Sequence, residues 1–326
     1  MKICIYGAGA IGGHVAVRLA RAGHDVSVVA RGAHLAAIQA NGLTLEPAGE
    51  RLTAKVAASD DADDLGPQDL VIVTVKAIDP AGLAEGLTPL LGAGTPVVFA
   101  QNGIPWWYGH ARDAVALPDL SRLDPRGALA RNVGAARAIG CVIYSPNTMT
   151  APGVIHTPNA TMHRFILGEP NGTVSARVKA IAAAIAPSGF GAEVVADIRP
   201  ALWAKLLRNT TNGPICTVLG QPIAAIGRDA DLCTLAKAMA REVVAVAAAY
   251  GVPLDVDVEQ EFAPAKYTLP HKPSILQDLE AGKPMEIDAI YTIVQDFARH
   301  RAVPTPHFDT LVALVRAKAR AAGCYR

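Results

Sequence analysis

Lys2-Ile3-Cys4-Ile5-Tyr6-Gly7-Ala8-Gly9-Ala10-Ile11-Gly12 opens the chain, and its reading decides the fold. A short apolar run leads into Gly7-x-Gly9-x-x-Gly12. Helical periodicity then runs from Ile11 to Ala22, and Gly23 ends it as a C-terminal cap. A second apolar run, Asp25-Val26-Ser27-Val28-Val29-Ala30, completes a strand–helix–strand unit. In such a unit Gly7 permits the tight turn, Gly9 lets the backbone approach a pyrophosphate, and Gly12 lets helix pack on strand. Ala10 and Ile11 begin the helix, whose amino-terminal N–H groups are open to phosphate oxygens. The context makes this a dinucleotide-binding loop.

Outward from that unit, Asp69 to Val75 and Pro96 to Ala100 read as two more buried strands, separated by a helix over Ala81 to Leu91. Near-continuous apolar runs of this length mark strands covered on both faces, hence a parallel sheet. After Arg137, Ala138 to Tyr144, Gly153 to His156 and Arg164 to Gly168 read as strands added antiparallel at the sheet edge. From about Ile198 helices replace strands, at 200–218, 229–250, 285–301 and 306–321. The expected architecture is α/β: a Rossmann-type doubly wound sheet domain over 1–197, then an all-helical domain over 198–326.

Composition fits a two-domain globular protein. The 326 residues are 51% hydrophobic, enough for two cores, and the formal net charge of +1 carries no nucleic-acid footprint. Cys4, Cys141, Cys216, Cys233 and Cys324 show no metal-ligand spacing, so buried free thiols and a reducing compartment are expected. The nine histidines show neither metal spacing nor a paired acid. Met1 leads straight into a strand, and no apolar stretch is long enough to span a bilayer. A cytoplasmic protein with no bound metal is expected, with a homodimer as a candidate assembly and the oligomeric state left open by the sequence.

Several polar residues stand where chemistry would. Arg31 lies just past the second strand, where an acid would hold the ribose hydroxyls of NAD; a guanidinium there suits the 2′-phosphate of NADP. Lys76 and Asn102 follow adjacent strand ends, each either a turn residue or a cofactor and substrate contact. Lys205, Asn209 and Asn212 are spaced i, i+4, i+7 on an otherwise apolar helix, which stacks them on one face. A solvated stripe is one reading; a general acid held by carboxamides is the other. Glu286 falls on the apolar face with Ile290, Ile293 and Phe297, while Asp288, Gln295 and Arg299 take the polar face. A buried carboxylate calls for a counter-charge or a ligand. Ser274 forms either a capping box with Gln277 or a ligand contact.

In this order the residues resemble the ketopantoate reductase family, the NADPH-dependent 2-dehydropantoate 2-reductases. The resemblance is carried by Gly7-x-Gly9-x-x-Gly12, Arg31, Lys76, Gln101-Asn102-Gly103, Trp203-x-Lys205-Leu206, Asn209, Ser274-x-x-Gln277-Asp278 and Glu286-Ile287-Asp288, and it spans residue 1 to about 320. It implies an active site in the cleft between the two domains, NADPH as cofactor, a 2-oxo acid as substrate and a place in pantothenate biosynthesis. Lys205 would be the general acid, and Glu286 would bind and orient the substrate hydroxyl. Asn209 and Ser274 would touch substrate, with Asn102 and Lys76 near the nicotinamide and the reacting carbonyl. Two departures stand out. Many members carry a second asparagine where this chain has Gly213, with Asn212 one residue earlier. The segment Ile104 to Arg137 is longer than the family's usual connection, and its Trp106 and Trp107 either reshape the pocket or pack an extra loop. Reduction of a different 2-oxo acid and a non-catalytic NADP(H)-binding regulator are the alternative readings. Lys205 and Glu286 argue against the regulator, which needs neither.

Overall fold

The computed structural model describes residues 1–47, 49–112, 114–158, 163–268 and 270–326; Asp113, inside the Ile104–Arg137 segment, lies outside the described residues. The chain forms two compact units. The first comprises Met1–Gln101, Pro105–Arg112 and Asp124–Ile198; the second comprises Asn102–Ile104, Asp113–Leu123 and Arg199–Arg326. Residues 102–104 and 114–123 thus group with the helices, although they precede the break near Asp197 in sequence.

The first unit contains strands β1 (Lys2–Tyr6), β2 (Asp25–Val29), β3 (Leu43–Pro47), β4 (Leu52–Ala54), β5 (Ala57–Ser59), β6 (Leu70–Val73), β7 (Val97–Phe99), β8 (Ala138–Tyr144), β9 (Thr148–Ala151), β10 (Val154–Thr157), β11 (Arg164–Gly168) and β12 (Gly191–Val194). Its helices are α1 (Ala10–Arg21), α2 (Gly32–Asn41), α3 (Pro80–Leu87), α4 (Ala128–Asn132) and α5 (Ala176–Ile185). The main sheet runs β12-β11-β8-β7-β6-β1-β2-β5. β1 pairs in parallel with β2 on one side and β6 on the other, so Ile3 sits opposite both Val26 and Leu70. Ile3, Ile5, Ile72 and Val98 have no exposed surface, as strands covered on both faces require.

Of the three strands expected as antiparallel edge additions, only one is placed that way. β11 pairs antiparallel with β8, whereas β8 itself is parallel to β7. β10 leaves the main sheet altogether and pairs with β3 and β9 in a second sheet of order β4-β3-β10-β9. There β10 packs on a complementary surface of α1. Gly13 presents no side chain there, and a Cβ would come within 2.5 Å of Ile155 Cδ1, so the fully buried Ile155 fills the gap.

A buried polar network lies beside that contact. His14 Nδ1 is 2.9 Å from Ser145 Oγ, which is 3.1 Å from His163 Nδ1, and Asn147 Nδ2 donates to Ser145 Oγ at 2.8 Å. Burial first, then the neighbouring His163 and Arg18, push the His14 pKa down to about 3. Trp107, 2% exposed, lies over Gly140 of β8, where a Cβ would come within 2.7 Å of its ring.

The second unit contains α6 (Arg199–Leu219), α7 (Ala224–Gly227), α8 (Ala230–Ala249), α9 (Val258–Glu261), α10 (Ser274–Glu280), α11 (Ile293–His300) and α12 (Pro306–Ala321). α6 packs against α8, α10 and α12. Trp203 meets Phe297 edge to face at 5.6 Å, and Tyr250 Oη donates to Phe297 O at 2.9 Å. Lys318 Nζ donates to Thr217 O and Val218 O, carbonyls in the last turn of α6 that lie beyond the helical ladder. A π-helical turn over Asp288–Thr292 precedes α11. Beyond it, Gln295 is not on the polar face expected for it. It is 2% exposed, donates to Asp309 Oδ1 at 2.5 Å and accepts from Arg316 at 2.6 Å. All five cysteines are free and buried. Among the described residues no helix is long and apolar enough to cross a membrane.

Two outcomes are expected. The unfolded His14 titrates near 6.5 and the folded one near 3, so between those values only the unfolded state binds the proton. The stability His14 contributes is complete above pH 6.5 and falls as pH drops towards 3. In thermal melts from pH 7 to 4, the Tm gap between the parent protein and His14→Asn should therefore shrink with falling pH; a gap that stays constant refutes this. Trp107→Ala should cost about 3–5 kcal/mol in denaturant unfolding, as aromatic truncations in a core do. A loss below about 1 kcal/mol would show a side chain that the core does not use.

Candidate active site

The glycine loop is held open by its own packing. Gly7 has φ +106°, a conformation that L side chains avoid, and a Cβ there would come within 2.5 Å of Val75 Cγ1. Gly7 N and Ala8 N donate to Val29 O at 3.1 and 3.2 Å, and Thr74 Oγ1 donates to Gly7 O at 2.6 Å. A Cβ at Gly12 would overlap Gly7 O and Thr74 Oγ1, whereas one at Gly9 would meet nothing within 4 Å. Gly9 caps α1 without any side-chain acceptor, and the first turn carries no acidic residue. The first backbone bond in the turn is Gly13 N to Gly9 O at 2.7 Å, leaving the amides of Ala10, Ile11 and Gly12 outside the helical ladder. Open space at Gly9, unclaimed amides and a positive helix end fit a phosphate-bearing ligand. Thr74 is not singled out by the sequence; its one signal there is a lone hydroxyl near the end of the run Leu70 to Val75.

Arg31 is exposed at the cap of α2, beside the carboxyl end of β2. Burial raises the Tyr6 phenol above its ordinary value, and the Arg31 guanidinium beside it pulls the other way. Lys76 is half-buried after β6, where Gln101 Nε2 donates to Val75 O at 2.9 Å and ties the ends of β6 and β7 together. These belong to the first unit. Asn102 belongs to the second. There Gly103, with φ +87°, lies so close to Ala289 O that a Cβ would overlap it, and Ile104 N donates to the same oxygen at 3.0 Å. The structure thus brings Asn102 to the turn that comes after Glu286.

In the helical unit, Lys205, Asn209 and Asn212 are each half-buried, while Leu202, Trp203, Leu206, Leu207, Thr210 and Thr211 around them are buried. Asn212 Oδ1 and Thr211 Oγ1 are enclosed and accept no hydrogen bond among the described residues. Glu286 is 7% exposed, on the apolar side as its spacing indicated. Ser274 is the first helical residue of α10, not its cap. The cap is Pro273 with no side-chain bond, and Gln277 Nε2 turns back to Lys272 O at 2.7 Å. The capping box does not form, because Pro273 already sets the helix entry, and Ser274 stands exposed. α6 packs against both α10 and the π turn, so one unit gathers Lys205, Asn209, Asn212, Ser274, Glu286 and Asn102.

Trp106 and Trp107 lie in the first unit. Trp106 meets Phe99 edge to face at 5.6 Å, and both indole nitrogens are enclosed without a hydrogen-bond partner among the described residues. Among the described residues no group of three His, Cys, Asp or Glu side chains is placed to hold a metal.

A family model described as ketopantoate reductase PanE/ApbA matches residues 3–172, and its C-terminal companion matches residues 197–319. A 2-dehydropantoate 2-reductase from Mesorhizobium japonicum is 44% identical over 327 residues, covering 100% of both chains. A crystal structure of a putative ketopantoate reductase from Ralstonia solanacearum MolK2 superposes with a TM-score of 0.90 at 39% identity, covering 99% of each chain. That of a PanE/ApbA family ketopantoate reductase from Ralstonia eutropha JMP134 superposes with a TM-score of 0.83 at 29% identity, covering 99% of this chain and 100% of the other.

Proposed function

The chain belongs to the ketopantoate reductase family of oxidoreductases, and we propose that it uses NADPH to reduce a small 2-oxo acid, 2-dehydropantoate before others, to the 2-hydroxy acid. One observation carries this reading. Lys205 stands half-buried with two carboxamides beside the exposed face of α6, in the same unit as a Glu286 that is 7% exposed. A buried carboxylate in the unit that holds a half-buried ammonium and two carboxamides suits a polar ligand.

The cofactor fits what the residues offer. The open amides of Ala10, Ile11 and Gly12 and the free space at Gly9 would hold the pyrophosphate. Arg31 would pair with the 2′-phosphate, and Lys76 would lie beside the nicotinamide end. When bound, the reduced nicotinamide supplies a hydride to the carbonyl carbon. Lys205 donates a proton from Nζ to the carbonyl oxygen as charge develops there, so neither a free alkoxide nor a hydroxide forms. Asn209 and Asn212 hold the lysine and the substrate oxygens in register. Glu286 accepts a hydrogen bond from a substrate hydroxyl, and Ser274 and Asn102 meet the remaining polar atoms. Five buried thiols suit a reducing cytoplasm, where pantothenate synthesis would use the product. Gly213 favours a second reading, reduction of a different small 2-oxo acid, because it removes a side chain from the stripe.

The decisive measurement is NADPH oxidation with a panel of 2-oxo acids. Lys205→Ala should lower kcat by about 10²–10⁴-fold while leaving the NADPH Kd unchanged, because a positioned proton donor contributes that much. Near-normal turnover would show the stripe to be a solvated face. Arg31→Ala should separate the cofactors. The parent should prefer NADPH over NADH by at least about tenfold in kcat/KM, since losing a charge-assisted pair costs roughly 1.5–3 kcal/mol. The variant should lose that preference with NADH use unchanged. Equal use of both cofactors by the parent would defeat the assignment of Arg31.

A further inference from the structure

Position 213 lies on the polar stripe of α6, four residues beyond Asn209 and eight beyond Lys205. A glycine inside a long helix is unfavourable relative to alanine, so something must hold it there. The structure shows what does. A Cβ at 213 would overlap Tyr291 Oη, with Tyr291 Cζ and Ile275 Cγ2 each at 3.4 Å. Tyr291 belongs to the π turn five residues past Glu286, and Ile275 is the neighbour of Ser274. The extra residue of that turn carries the phenol to α6. Three elements that supply candidate substrate contacts therefore meet at one hydroxyl.

We propose that Tyr291 is a specificity-determining residue, its hydroxyl donating a hydrogen bond to the 2-oxo acid in the place that a side chain at 213 would otherwise occupy. This rests on the reductase reading. A buried tyrosine hydroxyl ordinarily finds a partner, and Tyr291 is 1% exposed. One residue before Gly213, Asn212 Oδ1 is enclosed and accepts no hydrogen bond among the described residues, so this level of the stripe offers both a donor and an acceptor. Burial raises the phenol above its ordinary value, which keeps it protonated and a donor at neutral pH. A phenol is longer and stiffer than a carboxamide, so the site is set for a different outline of substrate than an asparagine at 213 would select.

The test is steady-state NADPH oxidation with 2-dehydropantoate and other 2-oxo acids, alongside Tm, for Tyr291→Phe, Gly213→Ala and their combinations. Tyr291→Phe keeps the ring and removes one oxygen. It should raise KM for the preferred acid by about tenfold, with kcat, Tm and the NADPH Kd little changed. Gly213→Ala forces a methyl onto Tyr291 Oη and should raise KM likewise. In the Tyr291→Phe background the same methyl has its nearest neighbours at 3.4 Å, an ordinary contact, so no further loss should result. An unchanged KM in Tyr291→Phe, or a loss confined to Tm, overturns the proposal and leaves the reductase reading standing. Should Tyr291→Phe fail to fold, an unchanged KM in Gly213→Ala overturns it equally. A parent protein inert towards every 2-oxo acid overturns the reductase reading and this proposal together.

Discussion

The close approach of Gly12 to Gly7 O and Thr74 Oγ1 is the constraint on which the first unit depends. β1 sends the chain to β2 on one side and, through later elements, to β6 on the other, so its carboxyl end is where the strand order divides. The loop leaving that point can neither follow a neighbouring strand nor carry side chains inward. Hydrogen bonds from Gly7 and Ala8 to Val29 O, and from Thr74 to Gly7 O, clamp it to the ends of both flanking strands. This leaves a helix end with unclaimed amides above open space at Gly9. The geometry that lets the sheet close is therefore the geometry that favours an anion at its edge.

The second unit sets burial against polarity, and the conflict is confined to one region. α6 has buried residues along most of its length, yet one stripe holds Lys205, Asn209 and Asn212, and the interior carries Gly213 and Pro214, the latter unable to donate to the helix ladder. The turn that packs on it is π-helical and carries a buried carboxylate at its entrance. Each feature is unfavourable alone. Elsewhere in the unit the same rules are obeyed: Lys318 completes the end of α6, and Gln295 is satisfied by Asp309 and Arg316. Such departures, gathered in one region of an otherwise consistent structure, are where a functional site is expected.

Much of this is legible in the sequence because it is written in short-range periodicity. Apolar runs ending in glycines mark β1, α1 and β2, and the i, i+4, i+7 spacing places Lys205, Asn209 and Asn212 on one face. The features that escape depend on partners distant in the chain. β10 finds β3, about a hundred residues away, through the bare surface of Gly13, and nothing near Val154 announces it. Ser274 has the spacing of a capping box, but Pro273 takes the cap. A helical wheel puts Gln295 on the polar face with Arg299, but Asp309 and Arg316, partners from α12, satisfy its carboxamide and let it be buried. Trp107 is ambiguous for a related reason: its use depends on Gly140, which lies on a strand the tryptophan precedes.

These contrasts bear on how the proposed cofactor and substrate preferences could change. Pyrophosphate contacts made by backbone amides are insensitive to side-chain replacement, so on this reading the choice between NADPH and NADH is concentrated in Arg31, an exposed residue with little packing to lose. The substrate region is built oppositely. Gly213 and Tyr291 exclude each other's larger alternatives, Ile275 closes the same space, and the π turn that positions Tyr291 also carries the chain from Glu286 to α11. A substitution at any one of these alters the room available to the others, so their effects on substrate choice must be coupled and not additive. On this reading cofactor preference shifts by a single exposed change, whereas a change of substrate preference at 213 or 291 depends on what stands at the other position.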